Sequence, residues 1–172
     1  YDVAIKAYKY LLEKKDDSYF YRMARIKTVE ILNKKIDEDP NSTRDDIIAL
    51  KKNYENALEE LGRNNYTMDL IRGYALLLAF KYNDTKNAKK ELNNALRQTR
   101  ARNTELAKCK ITLADIYVKE NNIWEAALLY GQVNHTFKED IIGHEAKLKA
   151  AKTYFYGGDF KWAKAQLDIL KA

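Results

Sequence analysis

Scarcity of helix breakers constrains this chain more than any other feature. Its 172 residues hold one proline and six glycines. Inside a helix glycine costs roughly 1 kcal/mol and proline roughly 3 kcal/mol relative to alanine, so their scarcity leaves long stretches free to be helical. Apolar residues recur at three- and four-residue spacing between short polar breaks, which predicts an all-α fold of about nine helices. A hydrophobic content of 46% is enough for a buried core.

The breaks are specific. "DDS" ends the first helix near Lys15, with Ser18 as N-cap of the second, which runs to about Ile36. "DEDPNSTRDD" is the strongest interruption: Pro40 disfavours helix at Asp39, and Ser42 with Asp45 has the spacing of a capping box. A third helix then reaches Leu61, with Gly62 at its end. The fourth covers Thr67 to Tyr82, Asp84 caps a fifth that reaches Gln98, and Thr104 opens the sixth. "ENN" ends the sixth, Asn122 and Glu125 form a second capping-box pattern, and "HTFKED" separates the seventh helix from an eighth starting at Asp140. In "TYFYGGDFKWAKAQL", Gly157 or Gly158 supplies the left-handed residue that ends the eighth helix, and Asp159 caps the ninth.

Self-similarity separates an array from a simple bundle. "ITLADIYVKENNIWEAALLYGQV" and "LKAAKTYFYGGDFKWAKAQLDIL" align position for position: Ala114, Tyr117, Ile123, Ala126 and Tyr130 against Ala151, Tyr154, Phe160, Ala163 and Leu167, at a constant offset of 37. A fainter copy, "YALLLAFKYNDTKNAKKELNNAL", carries Ala75, Ala88 and Leu92 with a turn one residue longer. "YDVAIKAYKYLL" reads as a second helix alone, with Tyr1, Ala4, Tyr8 and Leu11 in register.

This pattern resembles the tetratricopeptide repeat family, two-helix units of about 34 residues with small residues at the helix crossing and large ones around it. The resemblance implies antiparallel helix pairs stacked as a right-handed superhelical solenoid. One repeat domain then covers 1–172: a second helix at 1–16, a divergent long pair at 18–62, and repeats at 66–100, 104–137 and 140–172. The family's proline between repeats is absent, and the offset exceeds 34. Beginning and ending on second helices, and starting at Tyr1, the sequence reads as a fragment of a longer array.

By the same resemblance, first helices line a concave face that holds a partner peptide or helix. In register, that face includes Lys108, Thr112, Asp115 and Lys119 in one repeat and Lys149, Lys152 and Tyr156 in the next. Their lysines and tyrosine suit an acidic or aromatic protein segment. The carboxylate clamp of some family members is ruled out, because its first lysine and asparagine positions read Ile111 and Asp115.

Charge suggests a second function. The chain holds 31 basic and 25 acidic side chains, a formal net charge of +6. The whole excess lies between Lys81 and Lys110, where nine basic residues meet three acidic ones. The segment includes Lys89, Lys90, Arg97, Arg100 and Arg102, a basic stripe of the kind that follows a nucleic-acid backbone. The pentatricopeptide family, which reads RNA with similar helix pairs, is the rival resemblance, and the 37-residue offset with its alanine–tyrosine packing fits it less well.

No catalytic, cofactor or metal site is expected. His135 and His144 lie across a helix break, with no cysteine near them. Cys109, the one cysteine, reads as a packing residue, and Ser18 and Ser42 are explained as caps, leaving no serine for a triad. The pair Gly157–Gly158 lacks the Lys-Ser/Thr of a phosphate loop. No apolar run is long enough to span a membrane, and the compartment stays open. Phe160, Trp162 and Leu167 on the last helix would leave apolar surface for self-association.

Overall fold

The computed structural model describes residues 1–13 and 19–171, and the chain is all-helical. Among the described residues there are nine helices and no strand: α1 (Asp2–Glu13), α2 (Tyr19–Glu38), α3 (Arg44–Leu61), α4 (Met68–Lys81), α5 (Thr85–Ala95), α6 (Asn103–Lys119), α7 (Ile123–Thr136), α8 (Ile141–Tyr156) and α9 (Phe160–Lys171). No helix among them is long and apolar enough to cross a membrane. Ser18 lies outside the described residues.

Several expected boundaries move for local reasons. The capping box at the start of α3 is one residue later than the spacing suggested. Thr43 is the N-cap, its hydroxyl accepts from the Asp46 amide at 3.3 Å, and the Asp46 carboxylate accepts from the Thr43 amide at 2.8 Å. The Thr43 hydroxyl also donates to the Asp46 carboxylate at 2.7 Å, and this bond first, then that from the Thr43 amide, holds the carboxyl below the usual carboxylate range. Asn122 is the N-cap of α7 but makes no side-chain capping bond, and its side-chain amide donates to the Glu120 carboxylate instead. α5 ends at Ala95, ahead of the expected Gln98, because the Arg97 and Gln98 amides close tight turns onto Asn94 and Ala95. In α1 the buried residue is Ile5, with Ala4 and Tyr8 half-buried and Leu11 exposed, so the buried stripe is turned slightly from the expected register.

Three turns repeat one design. Asn83, Asn121 and Gly158 have φ of 55°, 61° and 85°. Each immediately precedes the N-cap of the following helix, Asp84, Asn122 or Asp159. Asparagine and glycine are the residues that enter this left-handed region most readily. After α6 and after α8 the closing bonds are the same: the residue past the helix donates four residues back, the next three back, and the next five back. Gly158 therefore supplies the left-handed residue, while Gly157 keeps an ordinary φ of −77°.

The extra residue in the α4–α5 unit is absorbed at the end of α4. The Tyr82 amide reaches back five residues to the Leu77 carbonyl and the Asp84 amide six residues to Leu78, a widened last turn. Beyond it the register of α5 resumes. Ala88, Ala126 and Ala163 each stand four residues past their N-caps, and all three are buried. With Ala75, Ala114 and Ala151, also buried, they put small side chains on both helices of each pair.

Each helix packs against the next, and α2–α4, α4–α6 and α6–α8 touch as well. Among the described residues, odd-numbered helices touch only their sequence neighbours. The even-numbered helices thus form a continuous row with the others beside it. α4, touched by α2, α3, α5 and α6, is buried on most sides, through Met68, Leu70, Ile71, Tyr74, Leu77 and Leu78. Two apolar clusters result, one on α2–α6 and one on α6–α8, with Tyr117 and Leu129 packed against both. α6 serves the two: Cys109, Leu113 and Ile116 belong to the first cluster, and Ala107, Ile111 and Ala114 to the second.

Candidate functional site

A groove runs along the even-numbered row. Between α2, α3, α4 and α6 it widens to a pocket of about 420 Å³, whose lining includes Lys27, Glu30, Lys34, Tyr54, Asp69 and Gly73. Between α4, α6 and α8 a second pocket of about 260 Å³ is lined by Ile111, Thr112, Asp115, Glu145 and Lys149. Arg72, Leu76 and Lys108 line both, so the two pockets adjoin along α4 and α6.

Four of the seven residues expected on the concave face meet in the second pocket: Lys108, Thr112, Asp115 and Lys149. Thr112 forms the floor, 3% exposed, with its hydroxyl donating to the Lys108 carbonyl. Asp115 accepts from Lys149 Nζ at 2.8 and 2.9 Å and from the Tyr130 hydroxyl at 2.5 Å. Burial, then the Asp115 carboxylate, pushes the Tyr130 hydroxyl well above the ordinary tyrosine range, so Tyr130 stays a donor. The other three lie outside the pockets. Lys119 bonds the Asn83 side chain at 2.8 Å and sits over the Phe80 ring, while Lys152 and Tyr156 are exposed.

The groove carries a regular set of ion pairs, one or more on every even-numbered helix. Lys27 meets Glu30 at 2.6 Å on α2, Arg72 meets Asp69 at 2.7 Å on α4, and Lys108 meets Glu105 at 3.1 Å on α6. On α8 Lys149 bridges to Asp115 of α6 and approaches Glu145 at 3.9 Å. Burial alone would raise the Asp69 carboxyl, but the hydrogen bond and charge of Arg72 outweigh it and hold the group below its usual range. Counting lining residues, the first pocket has four cations (Lys27, Lys34, Arg72, Lys108) against Glu30 and Asp69. With Lys108 held by Glu105, the excess there comes down to Lys34, which makes no ion pair among the described residues.

Much of the basic segment is neutralised. Lys89 bonds both Glu120 oxygens at 2.7 Å, and Lys81 pairs with Asp37 at 3.1 Å. Arg102, on the N-cap of α6, approaches Glu105 at 3.6 Å. Lys90, Arg97 and Arg100 are exposed and make no ion pair among the described residues. His135 and His144 are both exposed. Among the described residues no three His, Cys, Asp or Glu side chains gather as a metal site. Cys109 is buried, which pushes its thiol up to about 11.

The end of the chain is apolar on its surface. Phe160, Trp162 and Leu167 are 61%, 54% and 40% exposed. Trp124, Tyr154 and Trp162 form a ladder of rings at 6.2 Å spacing across α7, α8 and α9. Leu167 stands where Tyr130 stands in α7; Tyr130 lies in the α6–α8 cluster at 2% exposed, whereas among the described residues α9 touches only α8.

Tyr54, Gly73, Arg72 and the α2 residues Lys27, Glu30 and Lys34 are groove residues that the sequence reading missed. The α2–α3 pair departs from the repeat pattern, so register could not place its residues, whereas Arg72 and Gly73 on α4 stand opposite Ile111 and Thr112 once Ala75 is matched to Ala114. No protein-family model matches the chain, and no curated protein matches it significantly.

Proposed function

We propose that this chain is a non-catalytic protein-interaction scaffold, a tetratricopeptide-like right-handed solenoid that holds a partner peptide or helix along its even-numbered helices. The groove formed by two adjoining pockets over α2, α4, α6 and α8 carries this reading. It is open, elongated and lined by alternating charges with apolar patches at Leu76 and Ile111, which suits an extended or helical segment better than a small molecule. The repeated alanine pairs and the three matching turns support the family resemblance. The charge excess of the α2–α4–α6 pocket favours a segment bearing acidic side chains.

A second reading, nucleic-acid binding, rests on the exposed and unpaired Lys90, Arg97 and Arg100. One experiment separates the two: affinity capture from lysate with and without nuclease, using the wild type, Leu76→Arg, and a triple variant with Lys90→Glu, Arg97→Glu and Arg100→Glu. A nuclease-resistant partner lost only with Leu76→Arg supports the scaffold. Binding lost with nuclease and with the triple variant, and falling steeply with salt, makes the basic segment the working surface.

A further inference from the structure

We propose that the Tyr54 hydroxyl, on the floor of the α2–α4–α6 pocket, is the donor that receives an aspartate or glutamate side chain of the partner segment. This rests on the groove reading above and names the chemistry of one subsite within it.

Tyr54 belongs to α3, outside the even-numbered row, yet it lines the groove. It gets there through Gly73. A Cβ at that position of α4 would stand 2.5 Å from Tyr54 Oη and 3.1 Å from Cζ, so the absence of a side chain opens a window in the row. The residue is 2% exposed, and no group among the described residues accepts a hydrogen bond from its hydroxyl. The oxygen is not sealed off either, since no enclosed polar side-chain atom lacks a partner and the ring lines the pocket.

The other buried tyrosines set the precedent. Tyr74 donates to Glu55 at 2.9 Å and Tyr130 to Asp115 at 2.5 Å, a carboxylate in both cases. Tyr54 is a buried phenol without one. Around it Lys27, Arg72 and Lys108 are paired with Glu30, Asp69 and Glu105, and Lys34 is exposed without an ion pair among the described residues, which leaves the pocket one uncompensated cation. A buried donor left open in a net-positive pocket selects an anionic acceptor. The volume, about 420 Å³, is many times the roughly 30 Å³ a water occupies, so a side chain fits.

The test starts without a ligand. Tyr54→Phe should melt at or above the wild-type temperature, because it removes a group with no partner; a marked drop would show the hydroxyl bonded within the chain and overturn the proposal. Short peptides are then selected on the 172-residue chain from a displayed random library and synthesised with each Asp or Glu and with the matching amide. Tyr54→Phe should weaken binding about tenfold, the scale of a hydrogen bond to a charged group. One acid-to-amide change in the peptide should cost a similar factor on the wild type and almost nothing more on Tyr54→Phe. If Leu76→Arg abolishes binding while Tyr54→Phe leaves it unchanged, the groove stands and the Tyr54 subsite is overturned. If selected peptides bind Leu76→Arg as well as the wild type, or none binds at all, the groove reading falls and takes this inference with it.

Discussion

The α2–α3 pair and the α6–α7 pair solve the same packing problem with different parts. In α6–α7 a short turn through Asn121 sets the crossing, and Ala114 and Ala126, both fully buried, let the backbones approach. In α2–α3 the connection runs through Pro40 and the Thr43 cap, the helices are longer at 20 and 18 residues, and the place four residues past the N-cap holds Ile47. Eleven residues past the N-cap, where α5 has Ala95 and α7 has Val133, α3 has Tyr54. The larger side chain is met by Gly73 on the neighbouring helix. Regularity in one pair fixes geometry, while irregularity in the other creates a pocket.

The largest effect that would break this comparison is at that shared place. Tyr54→Ala should cost about 3–5 kcal/mol, as other buried aromatic truncations do, and Val133→Ala about 2 kcal/mol. Urea unfolding followed by circular dichroism measures both. Equal costs would mean that Tyr54 packs no more tightly than Val133 and that the Gly73 window has another cause.

Overpacking comes next. Ala126→Leu forces a branched side chain into a site that is 0% exposed and should cost up to about 3 kcal/mol. Ile47→Leu, at the matching place in α3, keeps its volume and should cost under about 1.5 kcal/mol. If the two are alike in unfolding free energy, the alanine crossing is not what holds the regular pairs.

These contrasts mark what was legible in the sequence. The alanines at the offset of 37 and the glycine pair are local or periodic signals: Ala114, Ala126, Ala151 and Ala163 are buried and Gly158 takes the left-handed place, whereas Ala4 is half-buried and Asn122 makes no side-chain capping bond. Asp84 and Asp159 cap their helices as read, through bonds to Asn87 and Trp162 amides. The Thr43 cap was missed by one residue because Ser42 and Thr43 offer the same hydroxyl, and only the backbone decides between them. The Tyr54–Gly73 contact was not legible at all. It joins two helices through the size of one side chain and the absence of another, which no spacing rule encodes. The groove was partly visible: its α6 and α8 residues follow from register, Arg72, Gly73 and Leu76 on α4 stand opposite Ile111, Thr112 and Asp115 once Ala75 is matched to Ala114, and its α2 residues and Tyr54 depend on how the irregular pair docks.

Cys109 tests whether the two regions unfold together. It sits on α6 in the cluster shared with α2–α5, flanked in sequence by Ala107 and Ile111 of the other cluster. Its folded pKa, pushed up to about 11 by burial, exceeds the ordinary value of 9.0. The unfolded thiol therefore loses its proton first, so the stabilisation is complete below pH 9 and lost between pH 9 and 11. From pH 8 to pH 10 the wild type should lose about 1 kcal/mol more than Cys109→Ala. In urea at pH 8, labelling by a thiol reagent should coincide with loss of helix; labelling that comes first would mean the α2–α5 region opens on its own.

The smallest effect concerns the turns that make the regular pairs alike. Asn121 and Gly158 hold the same left-handed place, at φ of 61° and 85°. If the turn is one interchangeable part, Asn121→Gly and Gly158→Asn should each change stability by no more than about 0.5 kcal/mol, since both residue types tolerate this region. Gly158→Ala should cost about 1 kcal/mol through the strain of a Cβ at positive φ, because its surroundings are open and no clash contributes. Asn121→Ala should cost the same amount if backbone conformation alone sets the turn. A larger loss at Asn121 than at Gly158 would show that the asparagine side chain has its own role there, and the two turns would then be alike in shape but not in cause.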